Sequence, residues 1–128
     1  MALRLIDKQG ILDLRRQNDT TYDVVLLASV DCAACAEWAT KIEALSMNYV
    51  DRVDFWRYDI DESDVIDSLP IWAPPVIPSL IGMIDGWRSW EGLGALETTD
   101  PIEAMIDDWL GGYVNINNIS GAQSVVPG

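Results

Sequence analysis

Apolar residues follow three distinct rhythms along the chain. Asp23-Val-Val-Leu-Leu-Ala-Ser-Val30 is aliphatic at successive positions, the pattern of a strand buried on both faces, and predicts a central strand over Val24 to Val30. Cys35, Trp38, Ile42, Leu45 and Tyr49 then recur at three- and four-residue spacing, which predicts a helix ending near Tyr49. Val53 to Ile60 is aromatic and β-branched, a second interior strand, so the three segments form a βαβ unit. Upstream, Leu3 to Ile6 is a short apolar segment, Asp7 suits an N-cap, and a modest helix carries Ile11, Leu12 and Leu14 between about Lys8 and Gln17.

Downstream the punctuation is local. Asp59-Ile-Asp-Glu62 opens a short helix with Val65, Ile66 and Leu69, and four of the six prolines then fall between Pro70 and Pro78, where no regular helix fits. Ser79 to Ile84 reads as a strand, and Asp85-Gly86 separates it from Trp87-Arg-Ser-Trp-Glu91 as the turn of a two-residue hairpin. The sheet is therefore expected to change from parallel to antiparallel pairing. Asp100-Pro-Ile-Glu103 combines an N-cap, a first-position proline and an acid, and the helix it starts carries Ile102, Met105, Ile106, Trp109 and Leu110 until Gly111-Gly112 stops it.

Composition narrows the function. A chain of 128 residues with 49% hydrophobic and 23% charged residues makes one ordinary domain, with no apolar run long enough to cross a bilayer. A net charge of −13 repels phosphate backbones and anionic lipid, which removes nucleic acid and membrane surfaces as partners. With no histidine, the commonest general base and metal ligand are missing, along with every Ser-His or Cys-His nucleophile. The first residues show neither a basic leader with an apolar stretch nor a small-residue cleavage site, so a cytoplasmic location is expected. Only Cys32 and Cys35 are present, three residues apart, so their chemistry is local.

Cys32-Ala-Ala-Cys35 at a helix start, Asp59-Ile-Asp61 closing a strand, Val76-Ile-Pro78-Ser79, and Asp85-Gly86 with Gly92 and Gly94 in a closing hairpin together resemble the thioredoxin-like superfamily, over roughly Ala2 to Leu110. The resemblance implies an α/β fold, a three-layer α/β/α sandwich with a mixed central sheet, and a cis peptide bond before Pro78. It also implies thiol-disulfide exchange with a protein disulfide and no cofactor, with Ile77 and Pro78 offering backbone to an extended substrate segment and Trp72 nearby in the proline loop. At the first turn of a helix, residues i and i+3 share a face close enough for a disulfide, and the free amides there favour a thiolate on the first cysteine. Cys32 would then attack and Cys35 resolve.

Around the pair the chain departs from the family's usual pattern. Asp31 stands where a tryptophan is usual, Ala33-Ala34 replaces Gly-Pro, and Ala36-Glu37 follows where a cation is common. Asp31 and Glu37 are modulating residues: a carboxylate beside the sulfur disfavours the thiolate and so opposes the helix terminus. Asp31 reads most simply as a solvated helix-cap carboxylate. The buried acid that the family often carries within the central strand has no counterpart in Val24-Val-Leu-Leu-Ala-Ser29, which offers only Asp23 at its start. An acidic site with few cations has little to hold the carboxylates of glutathione.

Two other readings of the cysteines stand beside exchange. One is a disulfide or idle thiol pair on a scaffold reused for binding or assembly, for example a structural component of a phage virion. In that case Trp72, Trp87 and Trp90 would be contacts, while Trp38, Trp56 and Trp109 fall on apolar faces and belong to the core. The other is half of a zinc site, which lacks histidine to complete it, so no metal is expected. Residues 111–128 follow a helix that already completes the domain at Leu110. They read as a C-terminal extension or arm, with Tyr113 to Gly128 docking on a partner chain through Val114, Ile116, Ile119, Val125 and Val126, the alternative being a tail folded back on its own domain.

Overall fold

The computed structural model describes residues 3–7, 9–10, 13, 21–60, 77–84, 87–112 and 117–120. A six-stranded mixed sheet organises them, formed by β1 (Leu3–Leu5), β2 (Tyr22–Ala28), β3 (Val53–Asp59), β4 (Ser79–Ile84), β5 (Trp87–Leu93) and β6 (Asn117–Ser120) in the spatial order β1-β3-β2-β4-β5-β6. β3 runs parallel to β1 and β2, β4 runs antiparallel to both β2 and β5, and β6 is parallel to β5. The expected change of pairing thus occurs at β4.

β2 is central because both its faces are apolar. Val24, Leu26 and Ala28 enter one buried cluster, and Val25 and Leu27 enter another with Tyr58, Ile81 and Met83. The strand is displaced from its expected bounds, beginning at Tyr22 and ending at Ala28, and Val30 is 77% exposed. The cause is a turn in which the Cys32 N–H donates to the Ser29 carbonyl (3.3 Å), lifting the chain off the sheet before residue 30. Near the N-terminus, Asp7 caps as expected, its Oδ1 accepting the Gly10 N–H at 2.8 Å, and Gln9, Gly10 and Asp13 are helical. The expected helix over Val65 to Leu69 and most of the proline loop lie outside the described residues.

Helix α1 (Ala33–Ser46), extended by a 3-10 turn to Tyr49, and helix α2 (Asp100–Leu110) cover the same sheet face. Cys35, Trp38, Ile42 and Leu45 from α1 meet Ile102, Ile106 and Trp109 from α2 over Val24, Leu26, Phe55 and Leu80. α2 begins one residue earlier than its sequence suggests. Thr99 is the N-cap, Asp100 is already helical, and the Asp100 N–H is met by Thr98 Oγ1 at 3.3 Å. Asp100 therefore contributes its negative charge to the first turn instead of a cap hydrogen bond. Gly111 caps the other end and Gly112 adopts a φ of 82°, the left-handed conformation that glycine accepts without strain. Among the described residues no helix is long and apolar enough to cross a membrane.

The tryptophans divide differently from their expected roles. Trp38 and Trp109 are buried as expected, but Trp56 is half-buried, with the Arg4 guanidinium 4.2 Å over its ring and its Nε1–H donating to Asp23 Oδ1 at 3.0 Å. Trp90, a contact only in the assembly reading, is fully buried and stands edge-on to Trp109 at 5.7 Å, which in turn meets Tyr22 at 4.7 Å. Its strand alternates inward at that position, and the facing residue, Gly82, has no side chain to compete for the space. Trp87 is described only through its backbone in β5, and Trp72 lies outside the described residues.

Part of the C-terminal segment returns to its own domain. Residues 117–120 pair with Trp90 to Leu93 of the same sheet. β5 would otherwise end the sheet with a row of unsatisfied backbone groups, and the nearest extended segment in the chain satisfies them. Val114, Ile116, Val125 and Val126 lie outside the described residues.

Tyr49 ties the end of α1 to α2. Its hydroxyl donates to Asp107 Oδ1 at 2.7 Å, with the Glu103 carbonyl oxygen 3.4 Å away. Burial, then the hydrogen bond to Asp107, push its ionisation above the ordinary tyrosine value. A folded-state pKa raised above the unfolded one supplies stability that is complete below about pH 10 and is lost as pH rises beyond it. Tyr49→Phe is expected to cost about 1 kcal/mol at neutral pH, and chemical denaturation at neutral and alkaline pH should show the difference from the parent shrinking as pH rises.

Candidate active site

The cysteine pair sits where the βαβ unit turns from strand to helix. Cys32 is the N-cap of α1 with extended backbone (φ −104°, ψ 109°), and its Sγ accepts the Cys35 N–H at 3.1 Å. The helix then begins with the Ala36 N–H donating to the Cys32 carbonyl. This one-turn spacing brings the two Cα atoms to 5.1 Å, and the sulfurs form a disulfide. Cys35 points into the core and has no exposed surface, whereas Cys32 is half-exposed. The cap is thus a sulfur, and Asp31, expected to be a capping carboxylate, is an exposed residue one position too early for it. The Asp31 N–H is satisfied by Ser29 Oγ at 3.4 Å.

The pairing of β2 with β4 brings the second half of the site to the first. Leu27 is opposite Ser79, so Pro78 falls beside Ala28, at the end of β2 from which the chain turns into Cys32. The Ile77–Pro78 bond is cis. Pro78 is buried and its carbonyl accepts the Gly94 N–H at 2.9 Å, fixing the strand entry to the end of β5. Ile77 is half-buried and packs, like Cys32, against the cluster that contains Cys35. Cys32, Cys35, Ile77 and Pro78 therefore meet at one end of the sheet, with Asp31 and Glu37 exposed around them.

Two further charged residues belong to this end: Asp59, noted in the sequence only as part of a strand ending, and Arg57. Arg57 Nε and Asp59 Oδ1 pair at 2.8 Å, both partly buried, and in the register of β2 with β3 they stand beside Leu26 and Ala28. The signal was available in the alternation of Val53 and Phe55, which are buried under α1 and place Arg57 and Asp59 on the same face two and four residues later. Lys41, a helical turn after Glu37, approaches it at 3.9 Å and also donates to the Glu97 carbonyl at 2.8 Å, so Glu37 has a cation the immediate flanking sequence lacks. Asp23 lies on the opposite face and at the other end of β2, roughly 16 Å of strand from Ala28, accepting the Trp56 indole hydrogen bond. Among the described residues no group of three or more His, Cys, Asp or Glu is placed to hold a metal ion.

This architecture is the thioredoxin-like fold, an α/β mixed sheet with flanking helices and a Cys-x-x-Cys pair at a helix start. Thioredoxin f2 of Chlamydomonas reinhardtii superposes with a TM-score of 0.71 at 21% identity, covering 84% of this chain and 95% of that one. The short form of spinach chloroplast thioredoxin f gives 0.70 at 19% identity over 83% of this chain and 91% of that one, and thioredoxin O1 of Arabidopsis thaliana in the oxidized state gives 0.67 at 17% over 84% and 97%. No protein-family model and no curated protein matches the sequence.

Proposed function

We propose that the protein is a thiol-disulfide oxidoreductase acting on protein disulfides. The observation that carries this reading is the asymmetry of the pair: Cys32 at the helix N-terminus is partly exposed and Cys35 is fully buried, with a cis-proline strand entry at the same end of the sheet. In the reduced form, Cys32 as thiolate attacks one sulfur of a substrate disulfide. The substrate S–S bond breaks, a mixed disulfide forms, and the departing thiolate takes a proton from water. Cys35, deprotonated, then attacks Cys32 Sγ, releases the second substrate thiol and leaves the Cys32–Cys35 disulfide, so that two electrons have passed to the substrate.

The rest of the site supports binding of an extended segment. Ile77 precedes the cis bond at the strand entry and would offer its backbone to a substrate strand, an edge-pairing mode that places a disulfide next to Cys32. Trp72 is the proline-loop residue proposed to flank it. The amides of the first turn of α1 favour negative charge on Cys32, while Asp31 and Glu37 oppose it.

The test is reduction of insulin disulfides with dithiothreitol as the terminal dithiol reductant. The wild-type protein is expected to accelerate precipitation of the insulin B chain over dithiothreitol alone, and Cys32→Ser to abolish the acceleration. Equal rates with wild type and Cys32→Ser would refute the reading.

A further inference from the structure

The surface around Cys32 has an unusual chemical make-up. Its centre is apolar: Val30 is 77% exposed, Ala33 and Ala34 are exposed, and Ile77 is half-buried. Among the described residues, its exposed charged groups are Asp31, adjacent to the reactive cysteine, and Glu37, whose side chain is 75% exposed. The neighbouring described cations are engaged within the molecule. Arg57 is held by Asp59 at 2.8 Å, and Lys41 donates to the Glu97 carbonyl while standing 3.9 Å from Glu37. The whole chain carries a net charge of −13.

We infer that this site selects disulfides in cationic segments, in which an apolar residue beside the cystine rests on Val30, Ala34 and Ile77 while flanking Lys or Arg side chains meet Asp31 and Glu37. The inference rests on the exchange reading above and names its substrate class. Two physical effects act in the same direction. The negative field raises the local concentration of cationic segments and their rate of encounter, and it repels acidic ones. Opposite charge beside the sulfur also offsets the repulsion between the carboxylates and the Cys32 thiolate, so a bound cationic substrate favours the ionised nucleophile that attacks it. An acidic substrate worsens the same repulsion.

Two synthetic peptide disulfides test this, identical in the apolar residue next to cysteine and differing only in two flanking Lys or two flanking Glu. Pre-reduced protein is mixed with each at pH 7 in single turnover, and the rate ratio, cationic over acidic, is divided by the ratio that dithiothreitol gives with the same peptides. That division removes the peptides' intrinsic reactivity. The expected normalised ratio is about tenfold or more at low ionic strength, falling steeply by 0.5 M salt, where the Debye length is only about 4 Å. The double substitution Asp31→Asn, Glu37→Gln should lower it several-fold, the remainder coming from the field of the rest of the chain. A normalised ratio near one for the wild type overturns the charge selection while leaving exchange intact, and so does a large ratio that the double substitution leaves unchanged. Failure of pre-reduced protein to react with either peptide overturns the exchange reading itself.

Discussion

Gly82→Ala is expected to destabilise the protein by about 3 kcal/mol, at the upper end of what overpacking a core costs, and to lower the thermal midpoint by roughly 10 °C in a domain of this size. A methyl group at Gly82 would collide with Trp90 Nε1 and Cε2, so the ring or the strand would have to shift. The ring is fully buried and stands edge-on to Trp109, while Gly92, the other glycine it crosses, lies against Ile102. The indole nitrogen has no hydrogen-bond partner among the described residues, so packing alone holds the ring in place. Trp90→Ala should itself cost about 3–5 kcal/mol. The double variant should cost well below the sum, because removing the ring removes the clash. Thermal and urea unfolding of the four proteins checks this, and strict additivity, or a Gly82→Ala midpoint within two or three degrees of wild type, would defeat the packing argument.

The same pair explains where sequence reading succeeded and where it stopped. The parallel pairing of β2 with β3 and the change of pairing at β4 were legible in strand patterning and a turn, whereas the placing of the cysteines and Pro78 at one end of the sheet came only with the resemblance. The burial of Trp90 is not legible in the sequence because it depends on a glycine eight residues away across a hairpin, with a register shift after Gly82 that a simple two-residue turn does not announce. The helix caps were read one residue late at Asp100 and one residue early at Asp31, for a common reason. Side chains suited to capping identify the vicinity of a helix start, but the turn preceding it decides which residue leaves extended conformation last. At α1 that residue is Cys32, so the nucleophile candidate occupies the cap position itself.

Residues 117–120 illustrate a different limit. Their alternation with the preceding Val114-Asn-Ile116 identified an extended segment seeking a sheet edge, and the edge it found is that of its own domain. Sequence gives the demand for a strand partner but not its address, because β4 and β5 had to be ordered before the outer edge of β5 could be recognised as vacant. The inward orientation of Arg57 and Asp59 is not legible from their charge, because charged residues at a strand end ordinarily face solvent, whereas here the register of β3 against β2 turns both toward the helix that carries the cysteines.

Cys35→Ser is expected to accumulate a stable mixed disulfide between Cys32 and a substrate peptide, and Cys32→Ser to form none. Cys35 is enclosed by the core, so a substrate sulfur has no line of approach to it, while Cys32 is half-exposed at the helix start. In-line attack requires the nucleophile, the attacked sulfur and the leaving sulfur to be nearly collinear, a geometry open to Cys32 from solvent and to Cys35 only from beneath Cys32. The buried thiol can therefore resolve an adduct on Cys32 but cannot start one. Each variant, reduced and then mixed with an excess of a cationic peptide disulfide, should be read by intact mass before and after addition of dithiothreitol. A stoichiometric adduct on Cys35→Ser that dithiothreitol removes, with an unmodified mass for Cys32→Ser, is the expected result. An adduct on both variants would mean that helix α1 opens enough to admit substrate to Cys35, and the division of roles between the two sulfurs would have to be abandoned.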